Sequence, residues 1–409
     1  MEKLYQHDVL IGGGGMAGLC LGVALAQGGL KVAVVEPVAR TVSLDAGFDG
    51  RVTALSYASV RMLRALRVWP HLQDEAQPIL DILVTDAPAG RPPSPLSLHF
   101  DADEIGEPMG YIAENRHLRA ALFAAADATT GLELLSPLSV ERALPAAEHA
   151  DVMLSDGSSL RTRLLVAADG RGSRLREEFG IGVIGWSYPQ WGIVATVAHE
   201  RPHNGTAYEH FLPSGPFAIL PLTGNRSSLV WTERDDLAPL YMNLSAEEFD
   251  TEIARRFGDH LGTTSVIGPR WSYPLKFHLA RAYVKPRFAL IGDAAHGIHP
   301  IAGQCFNLGL KDVAALAECL LDAARLGLDF GRIDTLRRYE RWRRFDSTLM
   351  GFSMDAFNRI FSNDIAPLRV TRDLGMGLVD QIGPLRRFLM RNAGGAVGKL
   401  PRLLRGEAA

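Results

Sequence analysis

The sequence predicts an α/β fold in which apolar strands end in short turns of glycine and aspartate. Three stretches carry that expectation. Val9–Ile11 leads into Gly13-Gly14-Gly15-Met16-Ala17-Gly18, Leu164–Ala168 into Asp169-Gly170, and Phe288–Ile291 into Gly292-Asp293. Each is an apolar run of strand length that stops at residues suited to a tight turn.

The chain has 409 residues, enough for two or three domains and a large core. Its net charge of −3 gives no fold-wide basic field, so nucleic acid is not an expected partner. Cys20, Cys305 and Cys319 cannot form a disulfide framework and lack zinc-ligand spacing, which points to a reducing, cytoplasmic setting. Val9–Leu30 is free of charge and long enough on paper to span a bilayer. The run Gly12–Gly15 would make it a poor spanning helix, and strand, turn and helix account for it better.

The first stretch reads as a dinucleotide turn. Gly13, Gly15 and Gly18 fit G-x-G-x-x-G, a helix follows to Gln27, and Gly28-Gly29 is its expected stop. Lys31–Val35 then forms a second strand ending at Glu36, 18 residues past Gly18. The glycines let a pyrophosphate approach the backbone, and the helix N-terminus supplies free N–H groups and partial positive charge. Glu36 stands where a ribose hydroxyl would be bound. These residues alone do not choose between FAD and NAD.

The other two stretches extend the pattern. Asp169-Gly170 is followed by Arg171-Gly-Ser-Arg-Leu-Arg176, and Gly292-Asp293 by Ala-Ala-His296-Gly-Ile-His299-Pro300-Ile-Ala-Gly303-Gln304-Cys305-Phe306-Asn307, after which a helix continues toward Leu321. In this order and spacing the three motifs resemble the single-component flavoprotein aromatic hydroxylases typified by para-hydroxybenzoate hydroxylase. Further stretches resemble the ubiquinone-biosynthesis branch of that family. They are Asp49-Gly-Arg51-Val-Thr-Ala-Leu-Ser56, Tyr111–Leu118, the stretch from His299 through Gln304 and Asn307 to Glu318, and Arg359–Asn363 with Pro367–Gly375.

The resemblance implies a glutathione-reductase-type FAD-binding Rossmann domain with an inserted mixed β-sheet substrate domain and a helical C-terminal region. The expected FAD domain is discontinuous, at 1–76, 105–182 and 276–345. The substrate domain would take 77–104 and 183–275, and the C-terminal region 346–409. The glycine turn would hold the ADP half of FAD. Asp169 and Gly170 would support FAD and a transient NAD(P)H donor. Gly292 and Asp293 would hold the ribityl chain, and Pro300, Gly303, Gln304 and Asn307 would lie beside the flavin ring. Arg51 and Asn115 become FAD contacts by position. The implied reaction hydroxylates a polyprenylated phenol through a flavin C4a-hydroperoxide, with water kept out. No general base for the phenol is identifiable.

One residue departs from the branch, which carries glycine where this chain has Cys305. If that position needs a left-handed backbone or close approach to flavin, a β-carbon there weakens the site. His296 and His299 lack a third ligand pattern, so no metal is expected. Phe211–Pro221 and Ser228–Trp231 read as strands of the second domain, with Phe217 and Trp231 either lining the substrate pocket beside Pro300 or packing as plain core.

The last 25 residues set Arg386, Arg387, Arg391, Lys399, Arg402 and Arg405 against one acid, Glu407, with leucines between. Residues 385–392 read as a helix on the chain's own core. The stretch after Gly398 reads as the better candidate for an anionic membrane, the inner membrane, or for a biosynthetic complex partner. Three alternatives stay open: a hydroxylase of a small soluble phenol, a flavin-binding subunit without activity, and a lipid reductase.

Overall fold

The computed structural model describes residues 5–45, 47–86, 97–363, 365–395 and 398–409. Residues 87–96, within the expected 77–104 segment, lie outside the described residues.

In chain order, β1 (His7–Gly12), α1 (Met16–Gln27) and β2 (Val32–Val35) come first, as the apolar pattern predicts. A short α2 (Arg40–Leu44) leads to β3 (Val52–Ser56), α3 (Tyr57–Ala65), β4 (Ala76–Ile79), β5 (Asp81–Asp86), β6 (Leu98–Asp101) and β7 (Gly110–Glu114). Next are α4 (Asn115–Asp127), β8 (Leu132–Leu135), β9 (Val140–Pro145), β10 (Ala150–Leu154), β11 (Ser159–Ala167) and α5 (Arg174–Glu178). The middle of the chain forms β12 (Val183–His199), β13 (Thr206–Leu212), β14 (Gly215–Leu222), β15 (Arg226–Arg234), α6 (Ala238–Met242), α7 (Ala246–Phe257) and β16 (Thr264–Ala280). The chain returns through β17 (Val284–Lys285), β18 (Phe288–Leu290) and β19 (His296–Gly297) to the helices α8 (Gln304–Arg325), α9 (Ile333–Phe361), α10 (Ala366–Gln381) and α11 (Gly383–Ala393).

The first sheet has a parallel centre in the order β18-β11-β1-β2-β8. Its middle strands are buried on both faces, which is why Val9–Ile11, Val32–Val35 and Leu164–Ala167 are continuous apolar runs. Register sets Gly12 of β1 beside Val35 of β2 and Ala167 of β11, and β18 pairs Leu290 with Ala167. The three turns after β1, β11 and β18 therefore leave the same edge of the sheet side by side.

The second sheet runs β19-β16-β12-β15-β14-β13-β5-β6 and is antiparallel except for β13 beside β5. Its strands alternate. One face carries Ile193, Ala195, Val197, Phe217, Leu229 and Trp231, packed with Phe249, Ile253 and Phe257 of α7. The opposite face meets the first domain: Trp271 Nε1 donates to the Asp49 carbonyl at 2.6 Å. A β-carbon on Gly50 would come 3.1 Å from Thr196 Oγ1 of β12. A small third sheet, β3-β7-β4, lies between the two. The expected boundaries at 76/77, 275/276 and 345/346 fall inside β4, β16 and α9 respectively.

Two fastenings hold the C-terminal region. Arg372 of α10 pairs with Asp86 of β5 at 2.7 Å, both almost wholly buried, and donates to the Ile360 carbonyl at the end of α9 at 2.7 Å. The second is made by the stretch after Gly398, which reads from sequence as the candidate for a membrane or a partner. Leu403 and Leu404 are buried in the main core, and the Arg402 side chain pairs with Asp322 and Glu318 of α8. Leu403 and Leu404, between Arg402 and Arg405, are thus core residues of this chain.

Candidate functional site

Each of the three turns is built by contacts that the sequence motif requires. At the first, Gly13 has φ +110° and donates to the Val35 carbonyl at 2.8 Å. A β-carbon on Gly13 would lie 2.4 Å from the Ala168 carbonyl oxygen, so this turn packs directly on the backbone of the second. A β-carbon on Gly18 would lie 2.0 Å from the Gly13 carbonyl oxygen, which explains the third glycine as a helix-to-turn contact. Gly15 is different. It is the N-cap of α1, without a side-chain cap bond, and nothing of the protein lies within 4 Å of a β-carbon built there. That leaves backbone N–H groups of the first helical turn open to an anion. Glu36 accepts from Gly14 N–H at 2.7 Å and from Val38 N–H at 3.0 Å, which fixes its carboxylate at the edge of the turn with lone pairs to spare.

The second and third turns are tied to each other. Arg171 Nε donates to Asp293 Oδ2 at 3.1 Å, and the buried Arg176 donates to the carbonyls of Arg171 and Ala294 at 3.1 and 3.0 Å. Asp169 accepts from Leu175 N–H at 3.2 Å and so caps the start of α5, while Gly170 has φ +83° and open space around it.

Beneath the third turn lies a buried charge network. Asp312 of α8 accepts from Gly292 N–H at 3.0 Å and His296 Nε2 at 2.5 Å on one oxygen, and from Arg343 Nε of α9 at 2.8 Å on the other. All three side chains are buried. Burial works against the Asp312 carboxylate, but His296 and Arg343 outweigh it and hold its pKa below the ordinary value. His296 is therefore a structural partner of the turn. Among the described residues there is no group of three or more side chains able to hold a metal.

Pro300, Gly303 and Gln304 lead into α8, and Gly303 takes φ +59°. The left-handed position is thus 303, and Cys305 lies in the first turn of a regular helix with its thiol toward the Ile298 carbonyl at 3.7 Å. Its β-carbon costs no backbone strain. Burial, with Asp293 nearby, raises the thiol pKa to about 11, so it is a protonated, unreactive neighbour. The Asn307 side chain is fully engaged by protein. It accepts from Ser56 N–H and Ser59 Oγ at 2.9 and 2.8 Å, and it donates to the Ala54 and Gly303 carbonyls at 3.0 and 3.3 Å. Asn307 therefore shapes the Gly303 loop, and any contact it makes with a flavin is through that loop.

Arg51 and Asn115 sit together at the ends of β3 and β7, where Asn115 N–H donates to the Arg51 carbonyl at 2.9 Å. The Arg51 guanidinium pairs with Asp49 at 2.6 Å and is half exposed, and Asn115 Oδ1 accepts from Thr53 at 2.7 Å. Phe217 and Trp231 are placed on the α7 face of the second sheet, fully buried, with Arg256 stacked 4.1 Å over the Trp231 ring. That corrects the pocket reading for both. The alternation of β15 turns Ser228 and Thr232 to the other face, a direction that periodicity predicts without saying which face meets the site.

On that other face, the hydroxyls of Thr196, Ser228 and Thr232 are buried without hydrogen-bond partners. His299 is also wholly buried, and neither ring nitrogen has a partner. Burial lowers its pKa to about 4, and that of His210, in β13, likewise to about 4. A histidine buried neutral leaves the unfolded chain the better proton acceptor below its ordinary pKa of 6.5. Stability is therefore expected to be complete above about pH 6.5 and to fall as pH drops toward 4. Thermal unfolding followed across that window checks this, and a flat midpoint would contradict the burial of these two rings.

Open N–H groups at α1, a fixed acid at Glu36 and two polar turns at one sheet edge fit an extended dinucleotide such as FAD. The fold and the turns define a dinucleotide-binding flavoprotein with an added sheet domain. The chain belongs to the FAD binding domain family, matched over residues 6–344, in its ubiquinone-hydroxylase branch. It is 50% identical over 403 residues to a ubiquinone hydroxylase of Rhodospirillum rubrum, covering 98% of this chain and 92% of that protein. It is 34% identical over 389 residues to the 3-demethoxyubiquinol 3-hydroxylase of Escherichia coli, covering 94% and 98%. Among solved structures it resembles a p-nitrophenol 4-monooxygenase of Pseudomonas putida, with a TM-score of 0.81 at 17% identity over 96% of this chain and 99% of that one. At that identity the likeness concerns the fold.

Proposed function

We propose that this chain is an FAD-dependent monooxygenase that hydroxylates the aromatic ring of a polyprenylated phenol in ubiquinone biosynthesis. The observation that carries the reading is the end-to-end match to a ubiquinone hydroxylase at 50% identity, on a fold whose three turns leave one sheet edge side by side. The chemistry that FAD supplies when bound is reduction by a nicotinamide donor, NAD(P)H, and activation of dioxygen. The chain supplies binding and exclusion of water. The α1 N-terminus and Gly15 would take the pyrophosphate, Glu36 a ribose, and Asp293 with its Arg171 partner the ribityl chain. The Pro300–Gly303 loop would border the ring. The domain interface holds the buried face of the second sheet, where water would otherwise spoil oxygen transfer.

Two finer points belong to the same reading. NAD(P)H would bind transiently, because no second G-x-G-x-x-G follows another strand in the sequence. The protein would work in the cytoplasm, peripherally on the inner membrane. Support for membrane contact comes from α9–α11 rather than the tail: Phe345 and Leu349, Leu374 and Leu378, and Leu385 and Phe388 are exposed at helical spacing. No helix among the described residues is long and apolar enough to cross a membrane. A biosynthetic complex partner would compete for the same surface.

The test is purification, an absorbance spectrum, and turnover with NAD(P)H, oxygen and a prenylphenol. Flavin bands, FAD released on denaturation and a hydroxylated prenylphenol are expected. Efficient turnover of a small soluble phenol with none of the prenylphenol would favour the catabolic alternative. A colourless protein that cannot be reconstituted with FAD would favour a subunit without activity.

A further inference from the structure

His299 is a wholly buried side chain whose two ring nitrogens both lack a partner, which the fold itself does not explain. It lies between β19 and α8, one residue before Pro300, and the nearby His296 of β19 has its Nε2 bonded to Asp312. The His299 ring is wholly enclosed and stands edge-on to Tyr188 of β12, with ring centroids 5.1 Å apart and planes at 80°. Tyr188 does not serve it, because its hydroxyl donates to Asp355 of α9 at 2.9 Å. Gln190, two residues on, is likewise occupied: its amide donates to the Ser214 carbonyl at 2.7 Å and accepts from Asn358 at 2.8 Å. The side chains of Tyr188 and Gln190 on β12 and of Asp355 and Asn358 on α9 are thus engaged with one another or with Ser214.

A buried donor and acceptor left unmade are costly, and folded proteins rarely leave both on one ring. A group kept for a ligand is one kind of exception. The same argument applies to Thr232, which faces the site side of β15 near Gln190: a β-carbon on Gly215 would meet both Thr232 and Gln190 within 3.0 Å.

We infer that His299 holds the ring hydroxyl of the phenolic substrate, its unprotonated nitrogen accepting the phenol O–H and its other N–H free for a second substrate oxygen. The inference deepens the proposed function and rests on it. A neutral imidazole suits the task, since it offers one acceptor and one donor. Burial keeps His299 in that form at neutral pH. Accepting a hydrogen bond from the phenol raises the electron density of its ring and fixes which carbon faces the flavin, so His299 is a catalytic residue by contact with substrate.

The experiment compares the FAD-loaded parent with His299→Leu and His299→Gln, using a short-chain prenylphenol and its methyl ether as paired probes. Affinity is read from the change in flavin absorbance, and coupling from hydroxylated product against hydrogen peroxide per NAD(P)H. His299→Leu is expected to bind the prenylphenol roughly 5- to 10-fold more weakly, the effect of one neutral hydrogen bond. The methyl ether should bind the parent and His299→Leu alike. Coupling should fall in His299→Leu and recover in part in His299→Gln. The melting temperature of the unliganded protein should not fall, because no protein hydrogen bond is lost. Equal losses for both probes, or none for either, would overturn the inference while leaving the hydroxylase reading intact. A flavin-loaded parent that never hydroxylates the prenylphenol would remove the reading and the inference together.

Discussion

Gly15→Val is expected to fold like the parent chain and to purify without FAD. The backbone at Gly15 is extended, with φ −66° and ψ 177°, which valine adopts readily. No protein atom lies within 4 Å of the new β-carbon, so the apo protein should keep its melting temperature. The space is open on the side where the N–H groups of α1 are uncapped, and a valine there would fill the volume a pyrophosphate needs. An overpacking cost of about 3 kcal/mol corresponds to roughly 150-fold in FAD affinity. Gly13→Ala should behave differently. Its φ of +110° and the 2.4 Å approach to the Ala168 carbonyl add strain of about 2–4 kcal/mol to the folded state itself. FAD titration and thermal unfolding of both variants separate the two effects. A Gly15→Val protein that binds FAD like its parent would show that the pyrophosphate does not use this turn.

That contrast also marks what was legible in the residues. Strand, turn and helix N-terminus are local, so G-x-G-x-x-G, Asp169-Gly170 and Gly292-Asp293 predict their own conformations. Parallel pairing of β1 with β2 and β11 then brings the turns to one edge. The glycines could be ranked only with coordinates, since their spacing does not say that Gly13 and Gly18 serve packing while Gly15 stays open. Cys305 carries no backbone strain for a related reason: the left-handed residue is Gly303, two positions earlier.

Other features depend on distant partners and leave no mark in a short window. Period-2 alternation shows that Trp231 and Ser228 face opposite ways, but the choice of face was made by α7, whose Phe249 and Phe257 cover Trp231. The leucines at 403 and 404 read as the better candidates for a membrane or a partner, yet they are core residues, held there with Arg402 paired to Glu318 and Asp322. Asp312 was the largest omission. Nothing about an aspartate in an apolar helix says that it will meet His296 and Arg343, 16 residues before and 31 after it. An acid four residues from both Leu308 and Leu316, on the apolar stripe of α8, was the available signal, because a buried charge needs partners.

Asp312→Ala is accordingly expected to be the most damaging single change in the first domain, lowering stability by about 3–5 kcal/mol. The loss is not that of an isolated ion pair. Removing the carboxylate leaves Arg343 with half of its charge partners gone, since Asp346 still accepts at 2.5 Å, and takes from His296 Nε2 the carboxylate it meets at 2.5 Å. It also frees Gly292 N–H, so the turn that carries Asp293 loses its anchor and FAD affinity should fall with stability. Asp312→Asn keeps an acceptor but not the charge and should lie between. The double variant Asp312→Leu with Arg343→Leu tests the cause, because deleting both charges removes the desolvated, unpaired guanidinium. Its loss should be smaller than the sum of the two single losses, measured by denaturant unfolding of the FAD-free proteins. If Asp312→Ala costs less than about 1 kcal/mol and leaves FAD affinity unchanged, the network is not what holds the third turn in place.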